Sequence, residues 1–254
     1  MQTTNTRRLL SVAADAKTIK GSKKGFLTGV LYLAPHTISG YQVCPQASDG
    51  CRVACLYTAG RGVYNNVQSS RINKTQLFHE HRDEFMALLV KDIEALIRKA
   101  ARENMIPVVR LNGTSDLPWE KLKVIRNGIS YASMMEAFPD IQFYDYTKVL
   151  GRTKALSLPN YHLTFSLAED NDKRAVKALE QGYNVAVVMH THRRADPKPA
   201  MWSGYPVVNG DETDLRFLDP KSGHIVALFP KGKARKDSIG FVRQQNSGFN
   251  LHNS

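Results

Sequence analysis

The chain has 254 residues, of which 42% are hydrophobic. That is enough for one sizeable core, while no stretch approaches the roughly 20 apolar residues of a membrane span and the N-terminus lacks the apolar run of a signal peptide. Lys and Arg number 35 against 23 Asp and Glu, a net charge of +12, which points to an anionic partner, nucleic acid or nucleotide first.

In chain order, residues 25–35 (GFLTGVLYLAP) predict a first strand ended by Pro35. A polar loop follows (YQVCPQASDGCRVACLYTAGRG, 41–62) that holds all three cysteines, Cys44, Cys51 and Cys55. Over 71–105, Leu77, Phe85, Leu89, Ile93 and Leu96 recur at helical spacing and predict a long helical region. Residues 106–113 predict a strand closed by the turn NGTSD, with Ser115 or Asp116 capping a helix that begins near PWEKLKVIRNG. Strands are then predicted at 141–148, 161–170, 183–191 and 224–230, with helices at 151–157 and 171–182, the latter stopped by Gly182.

This alternation predicts an α/β fold: a parallel (β/α) partial barrel of about six strands, with the cysteine loop after the first strand. The organisation expected is one domain, with an N-terminal extension (1–24), a barrel-like core (25–195) and a C-terminal part (196–254) of one strand and basic loops that completes it. In such folds chemistry gathers at the C-terminal ends of the strands. Those ends carry Asn112, Gly113, Thr114 and Asp116; Tyr144 and Asp145; Ser166 and Glu169; and His190 and His192. Alternation along FYDYTK turns either Asp145 or the pair Tyr144 and Tyr146 towards a substrate, and His190 reads as a rim group that binds substrate or moves protons.

Three clustered cysteines in a cytosolic chain favour a metal over cross-linking. Three thiolates on one loop suit a [4Fe–4S] cluster, which takes one cysteine per iron and leaves the fourth iron open. Zinc held by the three cysteines with His36 or His79 is the alternative, and three unligated thiols a further one.

The three-cysteine loop after a first strand, followed by βα units, resembles the radical S-adenosylmethionine superfamily. GCRVACLYTAG followed by RLNGTSD resembles, more narrowly, phage-encoded proteins with such a loop. Members of the superfamily usually space their cysteines Cys-x3-Cys-x2-Cys, whereas this chain has x6 and then x3. The resemblance implies that Cys44, Cys51 and Cys55 hold the cluster and that its open iron binds the methionyl group. Asn112, Gly113, Thr114 and Asp116 would hold the methionyl amine, and Ser166 and Glu169 would contact the ribose or carboxylate. It further implies an electron donor, reductive cleavage of S-adenosylmethionine, hydrogen abstraction from an anionic substrate, and a place in the cytoplasm of a bacterial host. Two other functions fit the residues: a non-catalytic nucleic-acid-binding protein with a structural metal on the cysteines, and a metal-dependent nuclease using His190 and His192.

Overall fold

A computed structural model describes residues 8–12, 19, 21–221 and 223–251 of the chain. Strands β1 (Leu10–Val12) and β2 (Phe26–Leu31) are followed by the short helix α1 (Asp49–Val53) inside the cysteine loop, and by helices α2 (Asn65–Glu80) and α3 (Arg82–Arg102). Strand β3 (Ile106–Arg110), the hairpin β4 (Val124–Arg126) and β5 (Ile129–Tyr131), and α4 (Met134–Ala137) come next. The chain continues through β6 (Gln142–Thr147), α5 (Thr153–Leu156), β7 (Tyr161–Ser166), α6 (Asp172–Glu180) and β8 (Val185–Val188), then β9 (Met201–Trp202), β10 (Tyr205–Asn209) and β11 (Ile225–Leu228).

These elements form a mixed α/β architecture around one nine-stranded sheet, in the order β1-β2-β3-β6-β7-β8-β11-β10-β9. Every neighbouring pair from β2 to β10 is parallel, and only the edge strands β1 and β9 run antiparallel to their neighbours. The sheet is thus larger than the six strands expected. The missed strands are β1, β9 and β10, at or near the sheet's edges; β1 and β9 have only three and two residues, and β10 carries Pro206. Strands so short carry too little alternation to be read.

From β2 to β8, sheet order follows chain order. Right-handed crossovers then put the connecting helices on one face. The main core lies there: Val109 and Phe143 join Phe85, Leu89, Ile93 and Leu96 of α3. Side chains one residue along point the other way. Val108 and Tyr144 belong to a separate small cluster with Leu215, while Arg110 and Tyr146 line a cavity.

Two predicted helices differ. The helical region begins at Asn65 and breaks at His81, whose φ of −135° and ψ of 60° leave the helical region of backbone space and separate α2 from α3. The helix expected from PWEKL is one 3₁₀ turn (Trp119–Lys121) and then the hairpin β4–β5. Asn127 and Gly128 have φ of 51° and 76°, the double positive φ of a two-residue hairpin turn. Neither Ser115 nor Asp116 caps a helix there. Ser115 donates to Asn112 Oδ1 at 2.9 Å, and Asp116 accepts from the Lys148 amide at 2.8 Å. Among the described residues no helix is long and apolar enough to cross a membrane.

Candidate metal and cofactor site

The three cysteines are free thiols, and all three line a cavity of about 1020 Å³ between the cysteine loop, the ends of the strands and one side of α2, which contributes Ser70, Arg71 and Lys74. Ser48 caps α1 by accepting from the Cys51 amide at 3.1 Å. Its hydroxyl donates at 2.8 Å to Glu169, which also accepts from the Gly50 amide at 2.6 Å. Glu169, just past β7, therefore ties the middle of the cysteine loop to the sheet. A Cβ on Gly50 would lie 2.5 Å from the Glu169 carboxylate and would displace it from this contact. Neither this tie nor the close approach at Gly50 is readable from spacing, because the partners are 119 residues apart.

The turn after β3 is fastened just as closely. Asn112 is buried. Its amide donates to Asp145 at 2.7 Å, its side-chain NH₂ donates to the Leu117 carbonyl, and its Oδ1 accepts from Ser115, Leu117 and Trp119. Asn112 thus spends its side chain building the turn. Gly113 packs so tightly that a Cβ would stand 2.6 Å from the Leu31 carbonyl and from the Tyr32 ring. The Thr114 hydroxyl donates to the Leu33 carbonyl, and its own carbonyl accepts from Cys44 Sγ at 3.6 Å. The Asp116 amide donates to the Val43 carbonyl at 2.8 Å. The NGTSD turn and the start of the cysteine loop are therefore one braced unit.

Burial dominates the electrostatics. It pushes the Cys44 thiol up to about 12, with Cys55, Cys51 and Asp116 adding to the rise, and it also raises Cys55, where Arg71 and Lys148 oppose it. Burial raises the Asp116 carboxyl against the pull of the Lys148 amide and Arg152. Lys148 donates from Nζ to Ser166 Oγ at 2.8 Å, so the ends of β6 and β7 meet on the same wall.

Of the residues singled out in the sequence, Cys44, Cys51, Cys55, Asn112, Gly113, Thr114, Asp116 and Ser166 line this one cavity. The others lie elsewhere. Asp145 is wholly buried on the helix side of the sheet, accepting from the Asn112 amide and from the Tyr161 hydroxyl at 3.0 Å, and burial pushes its carboxyl up to about 7. Tyr144 packs with Val108 and Leu215, and its neighbour Tyr146 is the tyrosine of that strand on the cavity wall. His190 and His192 line a separate pocket of about 210 Å³, their rings 5.7 Å apart and nearly perpendicular. His79 stacks on Tyr41 at 4.4 Å. Among the described residues no group of three or more His, Cys, Asp or Glu is placed to hold a metal ion.

Several wall residues carried no signal in the sequence. The cavity wall holds seven basic side chains and three acidic ones, and that excess selects for an anionic occupant. Arg71 lies over the Tyr32 and Tyr57 rings, 4.8 and 5.5 Å from their centres. The acids are engaged: Asp214 with Arg110 at 2.8 Å, Asp211 with Arg194 at 3.3 Å, and Asp116 with Arg152 at 3.5 Å.

Fold and site together define a mostly parallel α/β protein with a three-thiol loop braced over a cationic cavity. A family model, Gene product 88, matches residues 5–245. The chain belongs to that phage-type family. No radical S-adenosylmethionine family model matches it. No curated protein and no solved structure matches the chain.

Proposed function

We propose that this protein is an iron–sulfur enzyme of the radical S-adenosylmethionine type, acting on an anionic substrate held in the cavity. One observation carries the reading: three half-buried free thiols, on a loop at the C-terminal end of a parallel strand, open onto the same cavity as the braced turn after the next strand. The sheet order β2-β3-β6-β7-β8, which follows chain order without reversal, is also that of a partial barrel seen from strand to strand.

The donor set fits a cluster. The Tyr57 amide donates to Cys55 Sγ and favours a thiolate there, whereas Cys44 Sγ faces the Thr114 carbonyl, which offers a thiolate no donor. A bound cationic metal group would deprotonate such thiols outright. A cubane takes one thiolate per iron, so its cysteines need not converge on a single point as the ligands of one ion must. When bound, cluster and S-adenosylmethionine together would supply the radical that removes a hydrogen from substrate.

The protein's own residues do the rest. Cys44, Cys51 and Cys55 hold the cluster, while Glu169, Ser48 and Gly50 keep their loop in place. Thr114, Asp116 and Ser166 present oxygens to the cofactor, and Lys148 screens negative charge near Cys55. Asn112 and Asp145 act as positioning residues for that turn.

A structural zinc ion in a nucleic-acid-binding protein is the weaker reading, since among the described residues no three His, Cys, Asp or Glu side chains converge to hold a single ion. A nuclease centre on His190 and His192 is weaker for the same reason. The experiment is anaerobic purification with iron, sulfide and zinc analysis, beside a C44A/C51A/C55A variant. About four irons and four sulfides per chain, lost in the variant, support the proposal; one zinc per chain overturns it.

A further inference from the structure

The cavity wall carries a second charged group besides the thiols. Arg110 comes from β3, Arg194 from the loop after β8, and Lys231 from the segment after β11, and all three line the wall. Asp214 engages Arg110 at 2.8 Å. Asp211 engages Arg194 at 3.3 Å and Lys198 at 3.7 Å. Lys231 makes no ion pair among the described residues, although Asp214, Arg194, Asp211 and Arg110 are its charged neighbours. Arg110 is buried, and its Nε has no hydrogen-bond partner among the described residues.

Three wall cations face two carboxylates here, and Lys198, which pairs with Asp211 from outside the wall, brings the local excess to two positive charges. A phosphate monoester carries about −1.5 to −2 near pH 7, so it matches that excess where a single carboxylate would not. The charged groups felt by the Cys44 and Cys55 thiols are Asp116, Arg71 and Lys148, and those felt by Lys231 are Asp214, Arg194, Asp211 and Arg110, although the segment carrying Lys231 packs on the cysteine loop, a Cβ on Gly232 standing 3.0 Å from Ala59. Pockets for one drug-sized ligand measure about 300–1,000 Å³, and this cavity, at about 1020 Å³, stands at the upper end of that range.

We propose that Arg110, Arg194 and Lys231 form a phosphate subsite in the cavity, and that the substrate is a small phosphomonoester of about nucleotide size. The inference rests on the cavity being a substrate cavity, but not on what the cysteines carry. Burial draws the Lys231 ammonium below the ordinary lysine range, which a bound anion would reverse.

Calorimetric titration of the full chain with inorganic phosphate, at ionic strength fixed with chloride, tests it. Binding is expected in the parent chain and in C44A/C51A/C55A alike, whatever the metal analysis gives. Lys231→Gln and Arg194→Gln should each weaken it roughly tenfold or more, while Lys231→Arg keeps it. Thermal melts without phosphate show whether each variant is folded. Ribose 5-phosphate should compete with phosphate, and ribose should not. Absence of phosphate binding in the parent, or undiminished binding in both charge-removing variants, overturns the subsite. A 5′-phosphorylated oligonucleotide that competes better than ribose 5-phosphate overturns the small-molecule class.

Discussion

Glu169 shows how a single side chain can govern the loop that holds the chemistry. Its carboxylate takes the Gly50 amide and the Ser48 hydroxyl, and Ser48 in turn takes the Cys51 amide. Hydrogen bonds to a charged group contribute about 1.5–3 kcal/mol. Glu169→Ala should therefore loosen the loop while sparing the sheet, raising the alkylation rate of Cys51 about tenfold or more in differential-labelling mass spectrometry. An unchanged rate would remove Glu169 from its role as tether. Asp145 gives a second test, this time through pH. Burial holds its carboxyl up to about 7, whereas an unfolded aspartate titrates near about 3.9. Between those values the native chain keeps a proton that the unfolded chain has lost, so the contribution is present below the unfolded value and stability falls as pH rises towards 7. Urea midpoints should drop between pH 5 and pH 8 in the parent, and the drop should be smaller in Asp145→Asn. Equal drops would contradict the assignment.

At the scale of elements, close approach explains Gly113. A Cβ there meets the Leu31 carbonyl, which is backbone at the end of β2, and the Tyr32 ring. Backbone cannot swing aside, and overpacking of this kind costs about 1–3 kcal/mol. Gly113→Ala should lower the urea stability by that amount and splay the joint between β2 and β3; a change below about 0.5 kcal/mol would show that the turn yields. The parallel strands were legible because β8 and β11 are apolar runs and β3, β6 and β7 are rich in aromatic and β-branched residues, all bounded by polar turns. The hairpin was not, since the helical reading of PWEKL was carried through Asn127 and Gly128, whose left-handed backbone marks the turn. The cysteines and NGTSD were legible as a site because both follow strands of a parallel sheet. Alternation along β6 left two faces open, and Tyr146 rather than Asp145 lies on the cavity wall, because alternation says that the two oppose one another but not which face is open. Glu169 as a tether and Lys231 as a wall residue depend on contacts far apart in sequence, and no local pattern encodes them.

Over the whole molecule, charge and cavity belong together. The net charge of +12 is consistent with a polyanion bound on the surface, yet the wall itself carries seven basic side chains against three acidic ones. The excess extends inside, where a small anion is surrounded and desolvated, and where each interaction is stronger than at the surface. The wall gathers three half-buried thiols and, with Arg110, Arg194 and Lys231, more cations than carboxylates. The central claim is that the three thiols hold an iron–sulfur cluster. Its most direct test is the iron and sulfide content of anaerobically purified protein beside C44A/C51A/C55A. About four of each per chain, absent from the variant, is the result predicted. Stoichiometric zinc, or iron that persists without the three cysteines, would contradict it.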